Sequence, residues 1–108
     1  MKRRRYRNTP TTVDGIKFDS KREAARYGEL LLLERAGEIQ TLELQPEYRI
    51  EINGKKVCKC IYDFRYYCGN EHVVEDVKSP ATRKDPVYRL KKKLVEAVYP
   101  GVEIVEVL

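Results

Sequence analysis

The chain has 108 residues, 42% of them apolar and 36% charged, a composition typical of one globular domain and not of a disordered segment. No apolar run approaches the roughly 18–20 residues that a membrane-spanning helix needs, and no apolar segment follows the basic N-terminus as in a secretory signal. The odd number of cysteines, three, argues against a disulfide framework. We therefore expect a cytoplasmic protein without disulfides.

The net charge of +5 is concentrated in the first seven residues. The 17 basic residues that follow are balanced by 17 acidic ones, so we divide the chain into a basic arm (1–7) and a single domain (8–108). Such an arm suits contacts with nucleic-acid phosphates, because neutralising them releases counterions. The alternative is a solvated terminus that only aids solubility. The basic residues of the arm are Lys2, Arg3, Arg4, Arg5 and Arg7.

The N-terminal part of the domain predicts a hairpin followed by a helix. Residues 11–18 have a hairpin pattern around an Asp-Gly turn. Ser20 and Glu23 then form a capping box, with a serine at the N-cap and an acid three residues later. The helix should run to about Ala36, because Gly37 is a typical residue just past a helix end.

The middle of the chain predicts strands joined by tight turns. Residues 39–44 and 47–52 have an extended pattern interrupted by a proline, and an Asn-Gly turn follows them. Residues 57–67 predict one long strand rich in tyrosine, isoleucine, valine and phenylalanine. A Gly-Asn turn leads to a returning strand over residues 72–78.

The C-terminal part predicts a basic loop, a helix and a last strand. Residues 79–84 form the loop, and Asp85 followed by proline begins the helix. Residues 102–107 predict the strand, so the fold class is α/β, a mixed α+β arrangement of helices and strands. The residues expected on the buried face of the helix are Val87, Leu90, Leu94 and Val98.

The turn at residues 69 and 70 brings two carboxylates together. A two-residue turn there places Asp63 directly opposite Asp76, on the same face, with Cβ atoms about 4.5–5.5 Å apart. Two carboxylates so placed repel each other, and a divalent cation would offset that repulsion. Mg²⁺ commonly takes one or two carboxylates, several waters and substrate phosphate. The pair therefore predicts a metal site.

Lys78 projects from the same strand face as Asp76, two residues away. An ammonium there can hold an attacking water, stabilise developing negative charge or take a proton. Glu75 should point to the other face. The plainer alternative is an exposed ion pair on a sheet. Glu23 has two interpretations as well, because capping alone explains it unless the first helix packs across the carboxylate face.

These residues together resemble the PD-(D/E)XK nuclease superfamily, which has a restriction-endonuclease-like αβββαβ core with a central mixed sheet flanked by helices. The resemblance rests on Glu23 on the first helix, on Tyr62-Asp63-Phe64 and on Asp76-Val77-Lys78. More narrowly, the chain resembles a phage-borne family of unknown function within that superfamily, over residues 14–24, 44–46, 62–64 and 74–78. Tyr62 stands where the superfamily's name has proline, a position that varies.

The resemblance implies a metal-dependent DNA endonuclease that hydrolyses phosphodiesters. Asp63, Asp76 and the Val77 carbonyl would bind Mg²⁺ or Mn²⁺, Glu23 would be the first-helix acid, and Lys78 would assist the water. Relatives with this architecture act in phage recombination and Holliday-junction resolution, so branched DNA is the expected substrate, in the host cytoplasm. Cutting both strands would favour a homodimer.

Further side chains are candidates for substrate contact. Gln45 could touch substrate, or could only make a strand-end hydrogen bond. A second basic cluster could hold backbone phosphates, or could be a solvated helix surface. Two other functions stay open for the whole chain: a catalytically silent nucleic-acid-binding module and a phage protein–protein adaptor. The candidate phosphate contacts in the cluster are Arg83, Lys84, Arg89 and Lys93.

Overall fold

The structure, a computed structural model, describes residues 10–107, so the basic arm of residues 1–7 lies outside the described residues. Eight strands and three helices follow one another within this range. Within it, no helix is both long enough and apolar enough to cross a membrane. In chain order the elements are β1 (Thr11–Val13), β2 (Ile16–Phe18), α1 (Lys21–Arg35), β3 (Gln40–Leu44), β4 (Glu47–Ile52), β5 (Lys55–Ile61), β6 (Phe64–Cys68), β7 (Glu71–Val77), α2 (Pro80–Arg83), α3 (Pro86–Val98) and β8 (Glu103–Val107).

A four-stranded mixed sheet in the order β3-β6-β7-β8 forms the centre of the fold, and only its β7–β8 pair is parallel. One face packs against α1, where Leu30 and Phe64 are fully buried. The other packs against α3, where Val95 meets Val74 and Ile104. The expected mixed α/β architecture, a central sheet flanked by helices, is confirmed. The hairpins β1–β2 and β4–β5 are separate two-stranded sheets.

The predicted helix starts are confirmed by their caps. The Ser20 hydroxyl accepts a hydrogen bond from the backbone N–H of Glu23 at 3.1 Å. Asp85 caps α3 by accepting from the Val87 N–H at 3.0 Å, with proline as the first helical residue. The α1 helix ends as expected, since Gly37 follows its C-cap with a φ of 79° that glycine adopts without strain.

The prediction of a single strand over residues 57–67 is wrong. The chain bends at Tyr62 and Asp63, and the segment divides into β5 and β6. Its antiparallel neighbour bends at the same level, between β3 and β4. The bend is held by two backbone hydrogen bonds, from Gln45 N–H to the Asp63 carbonyl at 3.0 Å and from Tyr62 N–H to the Pro46 carbonyl at 3.1 Å. Asp63 therefore lies at a corner and not within a regular strand.

The buried face predicted for α3 is also wrong. Val87 and Leu90 are 60% and 58% exposed, and Val98 is 38% exposed. The helix instead turns Val95 toward the sheet, with Tyr88 and Tyr99 partly buried beside it. Two tyrosine rings cover more apolar surface than the valines would. Because tyrosine also has a polar hydroxyl, it was not counted among the apolar residues that predicted the buried face. Leu94 is the one member of the predicted set that packs against this core.

The basic loop predicted over residues 79–84 contains the one-turn helix α2. Ser79 caps it, because the Ser79 hydroxyl accepts from the Thr82 N–H at 3.2 Å, and Pro80 occupies the first position. Ser79 and Pro80 thus begin a helix, with proline in the first-turn position that it favours. This turn fixes the path of the chain from the end of β7 to α3.

Candidate active site

The pairing of β6 with β7 follows the register expected from the turn. Phe64 pairs with Glu75, and Cys68 pairs with Glu71. The regular ladder ends at this Phe64–Glu75 pair, and Asp63 lies just beyond it. The Asp63 N–H donates to the Glu75 carbonyl at 3.0 Å, one residue short of the partner that the turn register predicts.

Asp63 is held at the corner with its carboxylate directed at neighbouring acids. Its Oδ2 accepts a hydrogen bond from the Val77 N–H at 2.6 Å. The Asp63 carboxyl is also close enough to hydrogen-bond with the side chains of Glu23 and Asp76. The bend places it between the acid from α1 and the acid from β7, which a straight strand would not do.

Asp76 is 2% exposed and faces the α3 side of the sheet. Burial, followed by the charge of Asp63, raises the pKa of its carboxyl to about 8, and Lys78 opposes the shift. The Lys78 Nζ lies 3.4 Å from the Asp76 Oδ2. The buried carboxylate is therefore only partly compensated by the lysine.

Glu23 joins the carboxylate pair from the first turn of α1. Burial, followed by the charge of Asp63 and a hydrogen bond with it, raises the pKa of Glu23 to about 7. The backbone N–H of Glu23 serves the cap while its carboxyl lies beside Asp63. The two interpretations of this residue are thus compatible, because different atoms carry them.

Glu23 and Asp63 border a cleft of 370 Å³ between the start of α1 and the end of β7, and Val77 and Lys78 also contribute to its wall. A smaller adjoining cavity of 140 Å³ is lined by Gln45 together with Glu23 and Asp63. Gln45 therefore lies beside the acids as well as making its backbone hydrogen bond.

Glu75 lies on the opposite sheet face, as its strand position predicts. Its carboxylate accepts from Arg26 Nε at 2.8 Å and Arg26 Nη2 at 2.6 Å, and also from the Tyr66 hydroxyl. This network joins α1 to β6 and β7 directly behind the carboxylate cleft. We expect it to help hold the first turn of α1, and with it Glu23, against the sheet. Sequence reasoning missed it, because an arginine in a helix ordinarily indicates the solvent face.

Tyr88 is a second residue that the sequence did not indicate. The Lys78 Nζ lies 5.2 Å from the centroid of the Tyr88 ring, a cation–π distance. The Tyr88 hydroxyl is buried and lies close to the Glu106 carboxylate. The ring comes from the first turn of α3, so that helix contributes to the placement of the lysine.

The predicted basic cluster gathers around one cavity. Arg83, Lys84, Arg89 and Lys93 line a space of 510 Å³ bordered by α2, α3 and β8. Arg83 pairs with Glu106 at 3.0 Å. The basic residues of the arm cannot be placed, because they lie outside the described residues.

The donor set suits a hard divalent cation. Within residues 10–107, no group of three or more acidic, histidine or cysteine side chains is arranged to hold a metal ion. Mg²⁺ requires fewer protein ligands, because it keeps several waters and takes one or two carboxylates. Asp63 and Asp76 could supply that pair, and the raised pKa of Asp76 reflects its burial first and the charge of Asp63 second.

A family model described as "Protein of unknown function (DUF1064)" matches residues 3–107, nearly the whole chain. Comparison with curated proteins and with solved structures gave no match. The description of the family assigns no activity, so the function has to be argued from the geometry of the site.

Proposed function

The chain belongs to the DUF1064 family, and we propose from its carboxylate site that it is a metal-dependent endonuclease acting on DNA. One observation carries the proposal: the Asp63 and Asp76 carboxyls lie within hydrogen-bonding reach of each other at a strand corner, and the Lys78 ammonium lies 3.4 Å from the Asp76 carboxylate. A structural ion pair would need only one acid. The second and third acids, Asp63 and Glu23, make the cluster costly in its fully ionised form unless a cation binds.

The protein's own groups have separable roles in this proposal. Asp63 and Asp76 would hold Mg²⁺ or Mn²⁺, with the Val77 carbonyl and Glu23 as the further candidates. When bound, the cation lowers the pKa of a coordinated water and neutralises charge on the scissile phosphate. The Val77 N–H keeps the Asp63 carboxylate oriented. Lys78 would donate hydrogen bonds to the attacking water or to a phosphate oxygen.

The substrate and the setting of the reaction are further parts of the proposal. A cleft with buried acids and a basic cavity close by suits a phosphodiester in a polymer. The resemblance to phage nucleases favours branched DNA, in recombination, repair or Holliday-junction resolution. Such an enzyme would work in the host cytoplasm, and a homodimer would allow paired cuts.

A substrate panel tests the proposal directly. Linear duplex, single strand, fork and four-way junction are incubated with Mg²⁺, Mn²⁺ or EDTA, and the products are resolved on denaturing gels. We expect internal cutting with either metal and none in EDTA, with the junction or fork cut fastest. Binding without cutting would move the conclusion to a catalytically silent module, and absence of DNA affinity at low salt would move it to a protein adaptor.

Substitution of Tyr88 separates its ring from its hydroxyl. Tyr88→Phe keeps the ring beside Lys78 and removes only the buried hydroxyl, so we expect cleavage at close to the wild-type rate. Tyr88→Leu removes the ring, and a cation–π contact of roughly 0.5–2 kcal/mol corresponds to a roughly 2- to 30-fold slower single-turnover rate. Equal damage from both variants would assign the effect to the hydroxyl, and full activity of Tyr88→Leu would remove the ring from the site.

A further inference from the structure

Two cavities of different charge lie on either side of the one-turn helix α2. Ser79 and Thr82 border the carboxylate cleft, whereas Pro80 and Arg83 border the basic cavity of 510 Å³. A helix with its side chains is about 10–12 Å across, so a single polymer strand crossing α2 can reach both cavities. The two sites are therefore neighbours along one path over the surface.

The basic cavity holds more positive charge than the protein itself neutralises. Five cations and two acids line it. Glu106 is shared by Arg83 at 3.0 Å and Lys92 at 3.6 Å. Glu96 is occupied by the backbone, because its carboxylate accepts from the Ile104 N–H at 3.0 Å. The three cations that form no ion pair with a carboxylate of residues 10–107 are Lys84, Arg89 and Lys93.

This arrangement is unfavourable without an anion. Arg89 and Lys93 are four residues apart on α3, and like charges at that spacing destabilise a helix by about 0.2–0.5 kcal/mol. A concave surface focuses the field of its charges and raises the local concentration of an anionic ligand. Charged side chains make up nearly the whole lining, so charge and not apolar contact would select the ligand.

We propose that this cavity is a second phosphate site, which binds the nucleic-acid backbone next to the phosphodiester at the carboxylates. Arginine and lysine both bind phosphate oxygens, arginine through paired hydrogen bonds and lysine as a point charge. The order of cutting site and backbone site along a strand rests on the proposed nuclease function. The affinity of the cavity for the backbone does not, and it can be measured with no cleavage taking place.

The second site also sets the kind of substrate. A strand held in the basic cavity must continue past α2 to reach Lys78, so the protein should favour a polymer extending beyond the cutting site. Inorganic phosphate or a single nucleotide can fill one cavity but not both. A polymer bound at both sites gains from their linkage, because the second contact is made within the complex.

The test compares Arg89→Ala/Lys93→Ala with the matched control Lys55→Ala/Lys56→Ala, which removes the same charge from the exposed tip of the β4–β5 hairpin. Binding of a labelled DNA duplex is measured in EDTA over a range of KCl concentrations. We expect the slope of log affinity against log salt to fall in magnitude by about 0.9 per lost phosphate contact, hence by roughly 2 in the first variant. The control should keep the wild-type slope, and both variants should unfold at or above the wild-type temperature.

An unchanged slope in the α3 variant, or an equal change in the control, overturns the second site. The binding of polyglutamate is measured as well. If the α3 variant loses affinity for polyglutamate and keeps its affinity for DNA, the second site is also overturned, because the ligand would then be an acidic polypeptide. Cleavage in Mg²⁺ is scored separately. If the salt slope falls in the α3 variant but the wild type cuts no DNA, the backbone site stands and the nuclease function is rejected. If the wild type cuts DNA but the salt slope is unchanged in the variant, the nuclease function stands and the backbone site is rejected.

Discussion

Asp76→Asn should abolish metal-dependent cleavage and also make the metal-free protein more stable at alkaline pH. Asparagine keeps the size of the side chain but cannot supply the negative charge for a cation. Groups that stabilise the transition state electrostatically or by proton transfer contribute roughly 10²–10⁴-fold each, so we expect a rate loss of at least that order. The measurement is single-turnover cleavage of whichever panel substrate the wild type cuts.

The stability effect follows from the direction of the pKa shift. Burial and the charge of Asp63 raise the pKa of Asp76 from 3.8 to about 8, so the folded protein binds this proton more tightly than the unfolded chain does. The resulting stabilisation is fully present below the ordinary pKa and is lost as pH rises through about 8. Glu23, with a pKa raised to about 7, contributes in the same direction. Asparagine at position 76 cannot ionise, so the variant does not lose the part of the free energy of unfolding that depends on the Asp76 proton.

Thermal unfolding in EDTA at pH 6 and pH 9 checks this second effect. The wild type should lose stability between the two values, and Asp76→Asn should lose less. Asp14→Asn is a suitable control, because Asp14 is exposed in the β1–β2 turn and asparagine accepts its positive φ of 53°. A variant destabilised at pH 9 would indicate that Asp76 is an ionised partner of Lys78, the structural ion pair that the sequence left open.

The register of the β6–β7 hairpin could be predicted because a local rule decides it. A two-residue turn fixes the register of its hairpin, and the observed pairing of Phe64 with Glu75 follows that register. The caps at Ser20 and Asp85 are similarly local, since the side chain and its backbone partner lie within three residues of each other. Where a short segment contains all the interacting groups, the sequence was sufficient.

The bend at Asp63 could not be predicted, because it depends on a partner strand far along the chain. Tyrosine, isoleucine and phenylalanine favour extended backbone on both sides of the break, so propensity shows no interruption. The break exists because Gln45 and Pro46 bend at the same level and bond across it. Without this bend, neither the position of Asp63 between two acids nor its contact with Glu23 follows from the sequence.

The orientation of α3 was mispredicted for a related reason. Its valines and leucines form the cleaner apolar stripe, yet Val87 and Leu90 remain exposed while the tyrosines face the sheet. The bends bring β4 beside α3, and aromatic rings fill the space between them. The ring centroids of Tyr48 and Tyr99 lie 5.0 Å apart in an edge-to-face arrangement. Tertiary packing therefore overrode periodicity, and it placed Tyr88 beside Lys78 as a consequence.

Arg26→Ala should destabilise the protein more than any surface substitution on α1, by roughly 3–5 kcal/mol. Glu75 is 1% exposed, and its carboxylate depends on two hydrogen bonds from the Arg26 guanidinium and one from Tyr66. Alanine at position 26 would leave a buried charge with only the tyrosine as partner. A movement of α1 that lets water reach this carboxylate would also cost stability.

Chemical unfolding at pH 7 measures this cost, with Arg35→Ala, an exposed arginine of the same helix, as the control. Arg26→Met/Glu75→Leu replaces both charges by apolar groups and should recover most of the loss, because the penalty comes from the unpaired carboxylate and not from the missing attraction. A loss below about 1 kcal/mol in Arg26→Ala would mean that water reaches Glu75. Arg26 lies one turn beyond Glu23 on α1. Cleavage by the Arg26→Met/Glu75→Leu variant therefore tests whether the ion pair is needed to hold Glu23 beside Asp63. Full cleavage by the double variant would show that packing alone positions the first turn of the helix.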